Sequence, residues 1–423
     1  MDRTKAPKYK EIDHIYFIEP EHRALKNGID LAIFRTGSQK VVKIDLVFEA
    51  GTMYQEKALQ ASTTNTMLQE GSKNFTADEI AEKLDFYGSH LVLNIDKDFA
   101  KVSLISLEKY LDEGLEILSD IAQNPSFPEE KLDRYLSKKL QSFKMDKQKV
   151  KELSVKKFTQ ELFGANHPYG KVAKEADFDN LSRKDLVDFY KKQYQPKTCK
   201  MLITGQFEDK TLDKIDQHFS SWESSNTPNT FTKFEAPKMI KKSFFIEKKD
   251  AMQSAVRLGR ILFNQKHEDY GKMQVVNTLL GGYFGSRLMK NIREDKGYTY
   301  GIGSALLSLK ETGYFTIVSE VNAKFSQATV KEIKKEIKIL QSELVSEEEL
   351  SKVKSYMLGR ILRSVDGPFA LSETFLNVWL YNMDWDYLKN QIKTIQNINS
   401  KEIKLLANRY LNDEDLIEII AGK

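Results

Sequence analysis

The feature that most constrains the fold of this chain is a loose internal repeat. The segment FPEEKLDRYLSKKL (Phe127–Leu140) is similar to VSEEELSKVKSYML (Val345–Leu358). Further on, NLSRKDLVDFYKKQYQPKTCKMLITGQ (Asn180–Gln206) is similar to NINSKEIKLLANRYLNDEDLIEIIAGK (Asn397–Lys423), at nearly the same separation along the chain. Two similar stretches in the same order at one separation indicate a duplication. We interpret the chain as two homologous halves.

The composition of one segment indicates where the halves join. WESSNTPNTFTKFEAPK is rich in Ser, Thr, Asn and Pro, which is typical of a linker. A chain of 423 residues is also too long for one ordinary hydrophobic core. We therefore predict an N-terminal half over residues 1–222, a linker over residues 223–238 and a C-terminal half over residues 239–423.

The pattern of strands and helices predicts an α+β fold. Short apolar strands joined by turns alternate with runs of amphipathic helices, which favours two α/β-sandwich halves, each a largely antiparallel sheet covered by helices on one face. In the first half we expect the strands LAIFRT, VVKIDLVFEAG, SHLVLNI, FAKVSLISL and CKMLITG, with helices near residues 56–70, 76–87, 108–123, 128–146, 151–162 and 182–194. The second half repeats this pattern with SFFIEK, SAVRLGRILF, YTYGIGSALLSL, GYFTIVSEV and LIEIIAG.

Charge, cysteine content and hydropathy indicate which compartment and which binding partners to expect. The net charge of +4 on so long a chain gives no indication of nucleic-acid binding. The single cysteine, Cys199, fits a reducing compartment. The start MDRTKAPKYKEIDHI has no apolar stretch typical of a signal peptide, and no apolar run is long enough for a membrane span. We expect a soluble, cytoplasmic protein.

Four further segments carry a family resemblance: LQEGSKNFTADEIAEKLDFYGSHL, LEILSDIAQNPSFPEEKLDRY, FGANHPYGK and NTLLGGYFGSRLMKNIREDKGYTYGIGS. Together with the repeat, they resemble the insulinase/pitrilysin peptidases, whose zinc motif is the inverted H-x-x-E-H. The resemblance extends over most of the chain. It implies two halves of the LuxS/MPP-like metallohydrolase type.

The resemblance also implies where zinc would bind, and the residues there are unsuitable. In active relatives the helix before the GS or GT turn carries His, then Glu and His three and four residues later. Alignment on Gly71 places Ser62, Asn65 and Thr66 at these positions. Zinc needs imidazole, thiolate or carboxylate ligands, and the glutamate must accept a proton from the metal-bound water. These hydroxyls and this amide provide neither, so we interpret the zinc site as degenerate.

Two further observations on the sequence also argue against a zinc site in this chain. The family's third ligand, a glutamate in a later helix, falls in RYLSKKLQSFKMDK, where no carboxylate stands between Asp133 and Asp146. Of the 6 histidines, no two are close enough to chelate a metal from one helix. We therefore expect no cofactor in this chain and place the zinc in a presumed partner.

The second half keeps another part of the family's site. In active relatives an Arg and a Tyr seven residues apart bind the substrate and stabilise charge on the scissile carbonyl. REDKGYTY supplies Arg293 and Tyr300 at that spacing. An arginine near a helix end also complements the helix dipole, so a structural role stays open. Tyr298 has the same strand parity as Tyr300, and only the spacing favours Tyr300.

These observations predict a non-catalytic subunit of a bacterial insulinase/pitrilysin-like metallopeptidase complex. The chain would be inactive alone and would supply Arg293 and Tyr300 in trans to a zinc-bearing H-x-x-E-H subunit that cleaves peptides. The partner makes this a heterodimer, and a homodimer is the other arrangement. The alternative is a structural or peptide-binding subunit without a role in proteolysis, comparable to the core proteins of respiratory complexes.

Overall fold

The fold consists of two mixed sheets with helices packed against them. The computed structural model describes Thr4, Ile12, residues 14–224, Glu235, Pro237 and residues 242–423. The predicted linker therefore lies mostly outside the described residues. The strands are β1 (Glu21–Ala24), β2 (Asp30–Arg35), β3 (Val41–Phe48), β4 (His90–Ile95), β5 (Ala100–Leu107), β6 (Lys200–Gly205), β7 (Ser243–Glu247), β8 (Gln253–Leu262), β9 (Thr299–Ser308), β10 (Gly313–Asn322) and β11 (Ile417–Gly422).

Six helices of the first half lie close to the ranges expected from periodicity. The helices are α1 (Gln60–Met67), α2 (Ala77–Phe86), α3 (Leu111–Gln123), α4 (Glu129–Asp146), α5 (Val150–Phe163), α6 (Glu175–Asp179), α7 (Arg183–Gln193), α8 (Asp209–Phe219), α9 (Tyr270–Asn277), α10 (Ser326–Ser342), α11 (Glu347–Ser364), α12 (Pro368–Trp379), α13 (Trp385–Asn397) and α14 (Ser400–Tyr410). Two π-helical segments, Thr278–Gly282 and Met289–Asp295, follow α9. Capping boxes begin α2, α7 and α14, at Thr76, Ser182 and Asn399.

Apart from the additional edge strand β1, the two sheets have the same strand order. The first sheet is 6-stranded, in the order β1-β2-β6-β3-β5-β4, and the second is 5-stranded, in the order β7-β11-β8-β10-β9. In each sheet one pair is parallel, β2 with β6 and β7 with β11, and the remaining pairs are antiparallel. The largely antiparallel α+β fold is confirmed. The exact division at residues 222 and 239 stays a prediction.

Both faces of each sheet are covered, which refines the expectation of helices on one face. On one face of the first sheet, apolar side chains pack on the helices of its own half. On the other face, Phe34 of β2 packs against Phe375 of α12, a helix of the second half. Conversely, α5 of the first half packs on β8 and β11 of the second sheet. The two halves thus exchange one helix each.

The exchanged helix α12 is also held by charge. Glu373 of α12 accepts hydrogen bonds from Lys43 of β3 at 3.1 Å and from Lys101 of β5 at 2.7 Å. Lys200 of β6 donates to the main-chain carbonyl of Trp379 at 2.6 Å. These hydrogen bonds surround an apolar interface and hold α12 in position on the sheet. No helix in the described ranges is long and apolar enough to cross a membrane.

Candidate functional site

The helix that carries the degenerate zinc positions, α1, is stabilised by its surroundings rather than by its sequence. Leu59, before the helix, has a left-handed backbone with φ of 71°, and no side chain caps the helix start. Instead the Gln60 side chain accepts from the main-chain N–H of Glu56 at 2.9 Å and donates to the carbonyl of Asp185 at 2.8 Å. Tertiary contacts therefore hold a helix that its Ser, Thr and Asn residues would not form alone.

Asn65 is a structural bridge in this helix. The side chain is buried, and its Nδ2 donates to the main-chain carbonyl of Asn94 at 3.0 Å. Its Oδ1 accepts a hydrogen bond from the Tyr194 hydroxyl at 3.1 Å. Burial raises the pKa of Tyr194, so the phenol stays a neutral donor. The Asn65 amide, at the predicted position of the glutamate of active relatives, thus joins α1 to β4 and to the end of α7.

The two flanking positions do not form a metal site either. Ser62 and Thr66 are half-buried, and the Ser62 hydroxyl donates to the carbonyl of Leu59 at 3.1 Å. Within the described residues, no group of three or more His, Cys, Asp or Glu side chains is arranged to hold a metal ion. The residues present at these positions do not fit zinc, because they offer only neutral hydroxyl and amide groups.

Arg293 lies on the second half, in the π-helical segment Met289–Asp295. Its guanidinium lies over the ring of Phe284, 4.5 Å from the ring centroid. The negative face of the aromatic ring attracts this cation. Gly297 then reverses the chain with a left-handed φ of 62°, where a side chain would be strained. The turn directs the chain into β9, which carries the tyrosine.

A β-bulge separates Tyr300 from its neighbour Tyr298. The register of β9 and β10 shifts between Ser319 and Val321, so that Tyr300 and Gly301 together oppose Glu320. Tyr298 stacks on Phe325, with ring centroids 4.3 Å apart. Tyr300 is 93% exposed. Strand parity did not distinguish the two tyrosines because the bulge changes the alternation between them.

Arg293 and Tyr300 line the same open cleft, of about 890 Å³. Ser62, Asn65 and Thr66 are not among its lining residues, so the structure does not join the two sets within one chain. Sequence reasoning missed the other lining groups, among them Gln148 before α5 and Lys248, Met252, Glu320 and Lys324 around the sheet. They lie in loops and at strand ends, and no pattern distinguishes them from ordinary turn residues.

Two family models match this chain. Residues 31–170 match the family model described as insulinase (peptidase family M16), and residues 180–357 match the model described as peptidase M16 inactive domain. The two models together cover most of the chain. The chain therefore belongs to the insulinase/pitrilysin family of peptidases, and the resemblance seen in the sequence is confirmed.

Relatives in this family include both proteases and non-peptidases by name. A Rickettsia felis protein named as an uncharacterized zinc protease is 26% identical over 357 residues, 82% of this chain and 84% of that protein. A Helicobacter pylori protein named as a non-peptidase homolog is 23% identical over 382 residues, 88% of this chain and 87% of that protein. Together with the match to the peptidase M16 inactive domain, these relatives support an inactive homologue of the family.

A solved structure supports the fold. The crystal structure of a peptidase M16 inactive domain from Pseudomonas fluorescens superposes with a TM-score of 0.85, at 23% identity, covering 96% of this chain and 98% of that one. At this identity the likeness concerns the fold alone. It agrees with the two helix-covered sheets described above.

Proposed function

We propose that this chain is the non-catalytic subunit of a peptide-cleaving complex, and that it supplies Arg293 and Tyr300 to the zinc site of an H-x-x-E-H partner. One observation carries the proposal: the two side chains line one open cleft, whereas the chain's own zinc positions hold a buried structural amide. A subunit that retains one half of a site and has lost the other is useful only beside a chain that has the missing half. Tyr300, exposed on a bulge, is available to such a partner.

The role proposed for Arg293 and Tyr300 follows from the charge that develops during peptide hydrolysis. During peptide hydrolysis the scissile carbonyl oxygen becomes negatively charged, and a guanidinium and a phenol O–H aimed at that oxygen stabilise it. Removal of one such donor typically lowers the rate by about 10²–10³. The pair would also hold the peptide main chain in the cleft before the reaction. Short or unfolded peptides are the expected substrates, because a folded protein presents no free backbone to a cleft of this size.

The test is turnover by the assembled complex. The chain is purified together with a zinc-bearing H-x-x-E-H homologue from the same genome, and cleavage of an unstructured fluorogenic peptide is measured. Arg293→Ala and Tyr300→Phe should each lower kcat by about 10²–10³. Tyr298→Phe, which keeps the ring stacked on Phe325, is the matched control and should retain full turnover.

Two results would contradict the proposal. Unchanged turnover in both variants would favour the alternative of a structural or peptide-binding subunit. Stoichiometric zinc and peptide hydrolysis by the lone chain would show that it has a metal site of its own. Solution mass with and without the zinc-bearing homologue distinguishes a heterodimer from a homodimer.

A further inference from the structure

The two sheets carry opposite charges at an equivalent position. Leu202, three residues before the glycine that ends β6, pairs with Asp45 of β3. Ile419, three residues before the glycine that ends β11, pairs with Arg257 of β8. Asp45 and Arg257 therefore occupy the same place in the duplicated sheet, on the face that receives the exchanged helix.

In the first sheet the buried charge is neutralised. Asp45 is fully buried, and Lys43 lies 2.9 Å from its Oδ2, while Ser103 donates to its Oδ1 at 2.5 Å. Lys43 also contacts Glu373 of α12, which extends the network to the exchanged helix. This is the arrangement expected of a charge removed from water, since a buried ion without a partner costs several kcal/mol.

In the second sheet the charge has no such partner. Arg257 lies on the face that packs against α5, with its guanidinium 5.5 Å from the centroid of the Phe158 ring. Its Nε is buried without a hydrogen-bond acceptor, and the described residues form no ion pair with its guanidinium. Glu152 and the Tyr314 phenol attract it only from further away, and burial lowers the pKa of Arg257.

The unpaired guanidinium opens into a groove beside the cleft of Arg293 and Tyr300. This groove, of about 400 Å³, lies between the first turns of α5 and the end of the second sheet. Lys151 and Ser154 of α5 line it together with Arg257. Four residues line both the groove and the cleft, which makes the two spaces continuous: Gln253, Thr299, Tyr300 and Glu320.

We propose that Arg257 forms a carboxylate-binding subsite for the peptide that occupies the cleft. A carboxylate, from an acidic side chain or from the peptide's C-terminus, would enter the groove and accept a charge-assisted bidentate hydrogen bond from the guanidinium. Lys151, on the exposed rim, adds positive charge. Glu320 is also on the rim, but it is exposed, so water screens its repulsion. That the ligand is a peptide rests on the proposed function; the groove belongs to this chain alone.

The subsite is tested by measuring peptide binding to the full chain, without a partner, by fluorescence anisotropy. Three labelled peptides of equal length are compared: one with a glutamate and an amidated C-terminus, one with glutamine and a free C-terminus, and one with glutamine and an amidated C-terminus. At least one carboxylate-bearing peptide should bind more tightly than the neutral one. Arg257→Gln should weaken that binding by about tenfold or more and leave the neutral peptide unchanged.

Two controls separate binding from folding. Arg257→Met keeps an apolar stem on Phe158 without the charge, and it should show the same loss as Arg257→Gln. Arg363→Gln removes an exposed arginine of α11 that lines neither space, and it should bind all three peptides as the unmodified chain does. Folding of each variant is verified by its urea unfolding curve.

The outcomes are distinguishable from those of the proposed function. Loss confined to the glutamate peptide identifies an acidic side chain as the ligand, and loss confined to the free C-terminus identifies the terminal carboxylate. Equal binding of all three peptides, no binding of any, or full binding by both Arg257 variants overturns the subsite. Carboxylate-dependent binding together with unchanged turnover in the Arg293 and Tyr300 variants would retain the subsite and reject the catalytic role.

Discussion

At the scale of single residues, Asn65 has a structural role at the position that the sequence predicts to correspond to the general base of active relatives. Its side chain donates to a main-chain carbonyl and accepts from a buried phenol. The Tyr194 side chain is buried, so no water can replace Asn65 as the acceptor for its hydroxyl, whereas Asn94 is an exposed residue of β4. The position is therefore under a packing constraint.

This use predicts a stability effect. Asn65→Ala removes the bond to the Asn94 carbonyl and leaves the Tyr194 hydroxyl buried without a partner, so the free energy of unfolding should fall by about 1–3 kcal/mol. Asn65→Glu should be at least as destabilising, because it places a carboxylate against that carbonyl. Urea unfolding measures both.

The control for this prediction is Ser62→Ala on the same helix. The Ser62 hydroxyl has only a local bond to Leu59, and its loss should change the free energy of unfolding by no more than about 0.5 kcal/mol. Equal stability of the Ala variants at residues 62 and 65 would show that the bridge contributes nothing.

At the scale of elements, the exchange of α5 and α12 joins the two halves. Each of these helices leaves its own half and covers a sheet face that would otherwise be exposed. In α12, Phe375 packs on Phe34 with ring centroids 5.3 Å apart and on Trp385 at 5.1 Å. Because each sheet depends on a helix from the other half, we expect the halves to unfold together.

The packing of α12 gives the second stability prediction. Phe375 is 1% exposed, and Phe375→Ala should lower the free energy of unfolding by about 3–5 kcal/mol, the usual cost of truncating a buried aromatic residue. Asn377→Ala, on the exposed side of the same helix, should have little effect. Calorimetry would show one transition for the unmodified chain; two separate transitions would contradict the coupling of the halves.

At the scale of the whole molecule, a buried carboxylate lies where the halves meet. Asp98, in the turn between β4 and β5, accepts a hydrogen bond from the Tyr169 hydroxyl at 2.5 Å and from the main-chain N–H of Lys310 at 2.9 Å. Lys310 belongs to the equivalent turn of the second sheet, and its ammonium contacts Glu49 at 2.5 Å. Burial raises the pKa of Asp98 to about 6, although both hydrogen bonds oppose this.

The raised pKa sets a pH dependence with a definite sign. The unfolded chain loses the Asp98 proton near pH 3.8, whereas the folded chain keeps it to about pH 6. Between these values the folded state binds more protons, so this group's contribution to stability falls as pH rises through the window. Each pKa unit corresponds to about 1.4 kcal/mol.

The measurement is urea unfolding from pH 4 to pH 7. The free energy of unfolding of the unmodified chain, minus that of Asp98→Asn, should decrease as pH rises. Asp179→Asn, an exposed carboxylate at the end of α6, should leave the pH profile unchanged. Parallel profiles for the unmodified chain and Asp98→Asn would contradict the assignment.

Much of the fold could be read from local pattern. Strand and helix ranges agree because each element has its own periodicity and caps, such as the box of Thr76 and Glu79. α1 was the weakest expectation: periodicity predicted a helix over residues 56–70, and the α-helix occupies Gln60–Met67 with a 3₁₀ turn after it. Its ends depend on the side chain of Gln60 and on contacts with α7, which no local signal contains.

Part of the candidate site could likewise be predicted from the sequence, and part of it could not. Side-chain chemistry at Ser62, Asn65 and Thr66 argues against zinc without any coordinates, because ligand capacity is a property of the residue type. The exposure of Tyr300 depends on a bulge created by pairing with β10, and the isolation of Arg257 depends on what α5 brings beside it. Pairing and packing between distant segments have no signature in a single stretch of sequence.

The sequence by itself determined the duplication, the element types and the loss of the metal ligands, since these follow from residue chemistry and short-range periodicity. Only the tertiary structure decided that the halves exchange helices, that Asn65 bridges two elements, and that Arg293, Tyr300 and Arg257 border one continuous space. These features arise from long-range contacts, whose geometry is set when the whole core packs.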